Sequence, residues 1–203
     1  FGNTKFKSST NRAPRKFTKG TIGENFWIWL QLKTIADVGI VGLPNAGKSS
    51  LLSFITSAKP KIANYKFTTL NPNLGVARYD DKEITLADIP GLIQDAHKGV
   101  GLGIKFLKHI ERCKTLLHLI DVNEDNIISS YKQVRSELGK YSKELLNKNE
   151  IIVLNKIDLI DQYKLDKKVR EFNKKIKKKT LLLSTLDKKS VSKIKPSIIN
   201  YVS

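Results

Sequence analysis

Short apolar runs alternate with amphipathic stretches along most of the chain. Three of the runs are continuous enough to be strands buried on both faces: IADVGIVG, TLLHLIDV and EIIVLNKI. Between them, apolar residues recur at helical intervals, as at Ile128, Tyr131, Val134 and Leu138. Since strand and helix patterns alternate from about residue 35 onward, the sequence predicts an α/β fold in which helices cover both faces of a mostly parallel sheet.

Further patterns complete this expectation. LGVARYD and EITLADI flank DDK, which predicts a hairpin, and TLLLST predicts a last strand, so we expect a six-stranded sheet. Alternation at Phe26, Ile28 and Leu30 predicts a short additional strand before the first buried one, whereas the polar residues before Gly23 predict coil. The remaining helices are predicted in GKSSLLSFITSA, GIKFLKHIERC, IISSYKQVRSELGKYSKELL, LDKKVREFNKKIKKK and VSKIKPSIINYV.

Composition narrows the possible classes of protein. The hydrophobic fraction of 40% fits a globular chain, and the longest apolar runs are too short to span a bilayer, so no membrane partner is expected. The single cysteine, Cys113, excludes an internal disulfide and fits a small packed residue better than a reactive thiol.

The net charge of +18 is concentrated at the two ends of the chain. Residues 1–33 carry seven Lys or Arg and one acid, and residues 161–203 carry thirteen Lys or Arg and four acids. Such basic segments fit a polyanion such as RNA. For the run NKKIKKKT a solvated, Lys-rich surface is an equally good interpretation.

GLPNAGKS (residues 42–49) matches the phosphate-binding pattern G-x-x-x-x-G-K-S, between a predicted strand and a predicted helix. Its glycines let backbone N–H groups approach an anion at a helix N-terminus. Lys48 supplies a charge for the β- and γ-phosphates, and the Ser49 hydroxyl is suited to magnesium. This context disfavours a chance glycine-rich turn, but ATP and GTP fit the loop equally well.

Two further motifs end predicted strands. In DIPG, Asp88 is placed to hold magnesium and the Gly91 N–H to contact a γ-phosphate. In NKID, the Asp158 carboxylate can accept bonds from N1–H and the exocyclic amine of guanine, a pair of donors that adenine lacks. Asn155 is expected on the O6/N7 side of the base, with the Lys156 stem along it. Each motif alone is also a common turn, but together with the phosphate loop they indicate a guanine nucleotide.

Two less specific segments fit the same site. In LSTLD, Ser184 and Thr185 lie where a backbone N–H could complete the base pocket. NYKFTTLNPNLG carries Thr68 and Thr69, and a threonine there could bind magnesium only when a γ-phosphate is present. Spacing does not separate the two threonines.

Three longer stretches, NRAPRK, FTTLNPNLG and DIPGLIQDAHKGVGLG, resemble the Obg family of ribosome-associated GTPases. The resemblance implies that residues 36–203 are an OBG-type GTPase domain with a Ras-like P-loop NTPase fold. Residues 1–35 would be the end of the glycine-rich Obg domain and a linker. Because the chain does not begin with Met, we expect it to be part of a longer protein.

The resemblance also implies the site residues. Magnesium would be held by Ser49 and Thr69, and catalysis would depend on Lys48, Thr69 and Gly91. The residues expected around the nucleotide are Gly42, Leu43, Pro44, Asn45, Ala46, Gly47, Lys48, Ser49, Phe67, Thr68, Thr69, Leu70, Asn71, Asp88, Ile89, Pro90, Gly91, Asn155, Lys156, Ile157, Asp158, Ser184, Thr185 and Leu186.

Two positions bear on the rate of hydrolysis. Many small GTPases orient the attacking water with a Gln directly after the glycine of the DxxG motif. Here that residue is Leu92, which cannot hydrogen-bond, so we predict slow intrinsic hydrolysis. In similar GTPases an asparagine at the position of Asn45 accompanies activation by K⁺, and the alternative is a loop asparagine that bonds its own backbone.

By resemblance, the protein is expected to be a Mg²⁺-dependent GTPase that binds GTP and GDP and acts in biogenesis of the large ribosomal subunit, with links to stress and cell-cycle control. Its expected partners are that subunit and its RNA, and we expect a cytoplasmic monomer. Two alternatives stay open: a guanine-nucleotide sensor with negligible hydrolysis, and a related GTPase in RNA modification.

Overall fold

The computed structural model describes residues 1–28, 36–56, 61–62, 73–88 and 110–202. Contacts between residues divide the chain into two units, residues 1–32 and 33–203. This division lies close to the predicted boundary at residue 35. The assignment of the first unit to the end of an Obg domain stays a prediction.

Within residues 1–28 the only regular element is a short 3₁₀-helix, Asn3–Phe6. The strand predicted through Phe26 and Ile28 is wrong for those two residues, which lie in no strand and are exposed. Alternation alone does not make a strand, because an isolated strand has no neighbour to pair with its N–H and C=O groups. Leu30, the third residue of that pattern, lies outside the described residues.

The second unit is built on one mixed sheet. Its strands are β1 (Ala36–Val41), β2 (Lys61–Ile62), β3 (Asn73–Tyr79), β4 (Lys82–Asp88), β5 (Cys113–Asp121), β6 (Asn149–Asn155) and β7 (Thr180–Leu182). They lie in the order β2-β3-β4-β1-β5-β6-β7. The pairs from β4 to β7 are parallel, whereas the β2–β3 and β3–β4 pairs are antiparallel.

The predicted fold class is therefore confirmed. Six strands of three or more residues form the mostly parallel sheet, and the two-residue β2 extends its antiparallel edge. The hairpin predicted around DDK joins β3 to β4, and Asp80 in its turn has φ 50°. Aspartate tolerates this left-handed backbone conformation better than most residues do.

The described helices are α1 (Lys48–Ile55), α2 (Ile127–Tyr141), α3 (Lys143–Leu146), α4 (Gln162–Ile176) and α5 (Lys188–Val202). The single helix predicted over residues 127–146 is interrupted at Ser142. Its backbone there is extended, and its side chain accepts a hydrogen bond from the Glu144 N–H, so Ser142 caps a new helix. The helix predicted in GIKFLKHIERC lies mostly outside the described residues.

The hydrophobic core has a layer on each face of the sheet. On one face, α1 and α5 bury Leu51, Leu52, Ile194 and Ile198 against the strands. On the other face, residues of α2, α3 and α4 pack against the strands, among them Val134, Leu138, Leu145 and Phe172. Because the two layers cover both faces, β1, β5 and β6 read as continuous apolar runs.

Cys113 begins β5 and is buried, as expected of a packed residue. Burial raises the pKa of its thiol to about 12, so the reactive thiolate is scarce near neutral pH. Among the described helices, none combines the length and the apolar character needed to cross a bilayer.

A buried polar network lies between the sheet and α2. The Glu150 side chain is fully buried and accepts hydrogen bonds from the Tyr131 hydroxyl (3.0 Å) and the Lys178 ammonium (2.7 Å). Burial lowers the pKa of His118, so its neutral ring donates from Nδ1 to Glu150 at 3.0 Å. Burial alone would raise the pKa of Glu150, but the bonds from His118 and Lys178 outweigh it and lower the pKa to about 2.

This network predicts a pH-dependent contribution to stability. Glu150→Gln should lower the free energy of unfolding at pH 7 by about 3 kcal/mol, because it leaves the partners of a buried charge poorly paired. The folded-state pKa is depressed, so the wild-type advantage should be lost as pH falls from about 4.5 toward about 2. Urea unfolding of both proteins between pH 7 and pH 3 measures the difference, and a difference that stayed constant over this range would contradict the assignment.

Candidate functional site

The carboxyl ends of the parallel strands meet along one edge of the sheet, where ligands bind in open α/β folds. The phosphate loop follows β1, Asp88 ends β4, Asn155 ends β6, and residues 184–186 follow β7. A cavity of about 410 Å³ opens there, within the range of small-molecule sites. It is lined by Asn45, Gly47, Lys48, Ser49, Ser50, Lys156, Asp158, Leu159, Thr185 and Leu186.

The two glycines of the phosphate loop are required by close contacts. A Cβ atom on Gly42 would lie 2.3 Å from the Leu119 carbonyl oxygen. On Gly47 it would lie 2.4 Å from Nδ2 of Asn155, and Gly47 also has φ 96°, in the left-handed region. The loop therefore lies directly on the ends of β5 and β6, and only glycine fits at either position.

The loop delivers one helix terminus and one cation to the cavity. Gly47 precedes α1, and no side chain caps this helix terminus. Its first N–H groups therefore suit an anion. The Lys48 ammonium donates to the carbonyl oxygens of Gly42 (3.0 Å) and Leu43 (2.8 Å). Burial lowers the pKa of Lys48, and the nearby Asp88 carboxylate opposes this shift. A bound phosphate is also negatively charged and would likewise favour the charged ammonium.

Ser49 and Asp88 form an oxygen-rich pair beside Lys48. The Ser49 hydroxyl donates to Oδ2 of Asp88 at 2.5 Å, and Asp88 is 1% exposed. Its other oxygen, Oδ1, is buried and has no hydrogen-bond partner in the described part of the chain. A buried carboxylate oxygen without a partner, next to a hydroxyl, suits a hard cation such as Mg²⁺. The two residues thus fit the predicted metal.

Asn155 lies beneath the cavity and connects the two loops that border it. It is fully buried. Its Nδ2 donates to the Ala46 carbonyl oxygen at 2.8 Å, and its Oδ1 accepts from the Thr185 N–H at 3.3 Å. The sequence-based role of Asn155, contact with the O6/N7 side of guanine, stays a prediction. The structure adds a bridging role that the motif did not reveal.

Asp158 and Lys156 lie at the far end of the cavity, each held by a partner. The Ser184 hydroxyl donates to Oδ1 of Asp158 at 2.5 Å, which orients the carboxylate. Lys156 has φ 64°, and its ammonium donates to Oδ2 of Asp121 at 2.6 Å. The sequence analysis missed Asp121, although its place at the end of β5 in TLLHLIDV was a usable signal.

The sequence predicts that a backbone N–H of Ser184 or Thr185 completes the base pocket, but in the structure both N–H groups bond within the protein. The Ser184 N–H donates to the Ser190 hydroxyl at 3.0 Å, and the Thr185 N–H donates to Asn155. Both N–H groups are therefore engaged within the protein, and Ser184 acts through its hydroxyl. Thr185 and Leu186 still line the cavity.

Eight of the sixteen predicted nucleotide-site residues that the structure describes line the cavity. Gly47, Lys48 and Ser49 line one end of the cavity and Lys156 and Asp158 the other, with Asn45 also in its wall. The predicted residues that lie outside the described part of the chain are Phe67, Thr68, Thr69, Leu70, Asn71, Ile89, Pro90 and Gly91, together with Leu92.

Comparison with known proteins identifies the family. A family model described as "50S ribosome-binding GTPase" matches residues 37–156. GTPase Obg of Pelagibacter ubique is 69% identical over 202 residues, which is 100% of this chain and 62% of that protein. The chain belongs to the Obg family of GTPases. The resemblance found in the sequence is therefore confirmed.

Other Obg relatives extend the comparison. GTPase Obg of Rickettsia massiliae is 55% identical over 193 residues, covering 95% of this chain and 58% of that protein. The chain thus spans about three fifths of the length of the curated Obg proteins that it matches.

Solved structures agree with the fold. Aquifex aeolicus Era Y63A bound to GDP·AlF₄⁻ is 26% identical, with a TM-score of 0.61 over 84% of this chain and 57% of that chain. An Era structure with MgGDPNP and nucleotides 1506–1542 of 16S ribosomal RNA is 27% identical, with a TM-score of 0.60 over 81% of this chain and 55% of that chain. Both are P-loop GTPase neighbours of this Obg-family chain.

The bridging role of Asn155 yields a test. Asn155→Ala should lower the free energy of unfolding by about 1–3 kcal/mol without any ligand, because the Ala46 carbonyl loses a buried partner. It should also weaken GDP binding about tenfold or more. Urea unfolding and titration of a fluorescent GDP analogue measure the two effects.

Asn149→Ala, at the exposed start of the same strand, is the matched control and should change neither quantity. If Asn155 acted only by touching the base, the variant would lose nucleotide affinity while its unfolding free energy stayed at the wild-type value.

Proposed function

We propose that the protein is a Mg²⁺-dependent GTPase that binds GTP and GDP and hydrolyses GTP slowly. The observation that carries the proposal is the position of Asp158, whose carboxylate is oriented by Ser184 in the same cavity as the phosphate loop. A carboxylate held in this cavity can accept hydrogen bonds from the N1–H and the exocyclic amine of guanine, a pair of donors that adenine lacks. Membership of the Obg family supports the same reading.

The phosphates would be held by α1 and Lys48. The N–H groups that begin α1 would donate to the anionic oxygens, and Lys48 would exchange its bonds to Gly42 and Leu43 for bonds to the β- and γ-phosphates. Mg²⁺ would be held by the Ser49 hydroxyl, with Asp88 beside it, and Thr69 is proposed as the ligand that requires GTP. When bound, the metal neutralises charge that develops between the β- and γ-phosphates.

Hydrolysis would be slow because the chain offers no side chain to orient the attacking water at the usual position. That position is Leu92, and no histidine or glutamate lines the described cavity. In GTPases with slow intrinsic hydrolysis, a partner protein commonly accelerates the reaction. The proposed catalytic residues remain Lys48, Thr69 and Gly91.

We further propose that the protein acts in the cytoplasm, as a monomer, in biogenesis of the large ribosomal subunit, with links to stress and cell-cycle control. The description of the matching family as 50S ribosome-binding supports this role, as does the net charge of +18. The Era structure with a segment of ribosomal RNA shows that this class of GTPase includes RNA binders. The alternative hypothesis, a guanine-nucleotide sensor, differs from this proposal only in that GTP hydrolysis would be negligible.

Base recognition can be tested at Asp158. Asp158→Asn should weaken GTP binding by about 100-fold or more and shift preference toward xanthosine nucleotides, which present a carbonyl where guanine has an amine. Competition of GTP, XTP and ATP against a fluorescent nucleotide, with and without Mg²⁺, measures this. Unchanged GTP affinity would exclude Asp158 as the base contact.

Potassium activation can be tested at Asn45. This residue has φ 63° and lines the cavity, and no hydrogen bond joins its side chain to the backbone of the described residues. Single-turnover hydrolysis should be about tenfold faster in KCl than in NaCl at equal ionic strength, and Asn45→Ala should remove the difference. Equal rates in the two salts would remove K⁺ from the mechanism.

The ribosomal role predicts nucleotide-dependent sedimentation. The protein should co-sediment with purified large subunits in a non-hydrolysable GTP analogue, and several-fold less in GDP, because the contacts proposed for Thr69 and Gly91 require a γ-phosphate. Large subunits should also raise the single-turnover rate. Sedimentation that ignored the nucleotide would favour a role unrelated to switching.

A further inference from the structure

The positive charge of the described chain is densest on α4 and the residues after it. Residues 162–179 carry nine Lys or Arg and two acids. Leu165 and Phe172 are buried, and Val169, Phe172 and Ile176 pack in one cluster with residues of β5 and β6. Since neighbouring residues are about 100° apart around an α-helix, the side opposite this buried face is well defined. It carries Tyr163, Lys167, Arg170 and Lys174, which we call the outer stripe.

Five of the nine cations of this region fall into two groups, and the other four, Lys164, Lys175, Lys177 and Lys179, lie outside both. Lys168 donates to the carbonyl oxygens of Val122 and Glu124, and Lys178 donates to buried Glu150. These two side chains attach α4 and the residues after it to the rest of the domain. The outer stripe is different, because all four of its side chains are exposed and its three cations form no salt bridge with the described residues.

The spacing of the outer stripe suits a polyanion. At a rise of about 1.5 Å per residue, Lys167, Arg170 and Lys174 follow one another at steps of about 4.5 and 6 Å along the helix axis. The helix is already held by its buried face, so aligning the charges with a chain of phosphates orders only the side chains. Arg170 can also bind a phosphate through two parallel N–H groups.

The surroundings favour a nucleic acid over other polyanions. A membrane-surface helix inserts its apolar face into the lipid, but here that face is buried in the core. A protein interface is usually centred on large apolar anchors, and the only large side chain with apolar surface in the outer stripe is Tyr163. Tyr163 is 81% exposed at one end of the stripe, where its ring can stack on an unpaired base.

We propose that the outer stripe of α4 binds single-stranded RNA, with its three cations on successive phosphates and Tyr163 stacked on a base. The choice of RNA rests on the proposed function, whereas the contact with phosphates rests on the geometry of α4. The site is separate from the nucleotide cavity, none of whose lining residues belongs to α4.

The test compares two triple variants with equal loss of charge. Lys167→Gln, Arg170→Gln and Lys174→Gln together neutralise the outer stripe, and glutamine is a good helix former. Lys188→Gln, Lys189→Gln and Lys193→Gln neutralise three exposed lysines of α5 as the control. Fluorescence anisotropy of a fluorescein-labelled, mixed-sequence single-stranded RNA is measured with each protein over a range of KCl concentrations.

The outer-stripe variant should reduce the slope of log affinity against log salt by about 2, since each phosphate contact to a single strand contributes about 0.7. The control variant should keep the wild-type slope. Equal reductions in the two variants would show a general charge effect and overturn the proposal. The binding of the outer-stripe variant to phosphatidylserine vesicles is measured as well. If this variant lost more affinity for the vesicles than for RNA, the proposal would be overturned and the surface assigned to a membrane.

Tyr163 provides a second, independent variant. Tyr163→Ser should weaken RNA binding by between about fivefold and 100-fold with no change in the salt slope, and Tyr163→Phe should retain the wild-type affinity because it keeps the ring. Equal affinity of the two variants would remove the stacking contact.

Nucleotide assays separate this proposal from the proposed function. All variants should bind GDP as tightly as the wild type, which confirms that the fold is intact. A protein that bound RNA through the outer stripe but neither hydrolysed GTP nor sedimented with large subunits would contradict the proposed function and leave the RNA contact standing. If the protein hydrolysed GTP but the outer-stripe variant bound RNA as well as the wild type, the RNA contact would be contradicted and the proposed function would stand.

Discussion

The site depends on one buried amide. Asn155 joins the phosphate loop, through the Ala46 carbonyl, to the Thr185 backbone after β7. These two loops follow β1 and β7, which are separated by β5 and β6 in the sheet, so no backbone ladder connects them. A side chain with one donor and one acceptor group, at the end of the strand between them, supplies the connection. The lack of a Cβ on Gly47 leaves the room for it.

Around this bridge, three polar residues that line the cavity are each held by a polar residue behind its wall. Ser184 orients Asp158, Asp121 holds Lys156, and Ser49 bonds Asp88. Each pair joins residues from different parts of the fold, with Asp121 and Asp88 at the ends of strands and Ser49 in α1, so the geometry of the cavity depends on the register of the sheet. On the face of the sheet that α2 covers, the hydrogen bonds of buried Glu150 hold β6 to α2 and to β5. They thereby position the strand that carries Asn155.

Most of the fold could be predicted because its signals are local. Continuous apolar runs mark the strands that are buried on both faces, and G-x-x-x-x-G-K-S marks the loop and helix that bind phosphate. The failures have physical causes. Phe26 and Ile28 alternate like a strand but pair with no strand in the described part of the chain, and Ser142 breaks a helix because its hydroxyl caps the next one. The roles of Asn155 and Ser184 could not be read from spacing, because their partners are up to 109 residues away in the chain.

The register of the β3–β4 hairpin fixes the points from which two segments of the site begin, the one before Asn73 and the one after Asp88. Asn73 begins β3 and Asp88 ends β4, and the two residues are paired directly across the ladder. The chain before Asn73 and the chain after Asp88 therefore start from adjacent points of the same sheet edge. Insertions in either segment would change its length but not its anchor. A slip of one residue in the hairpin would instead turn Asp88 toward the opposite face and displace both anchors at once, so a one-residue insertion or deletion within this ladder would disrupt the site.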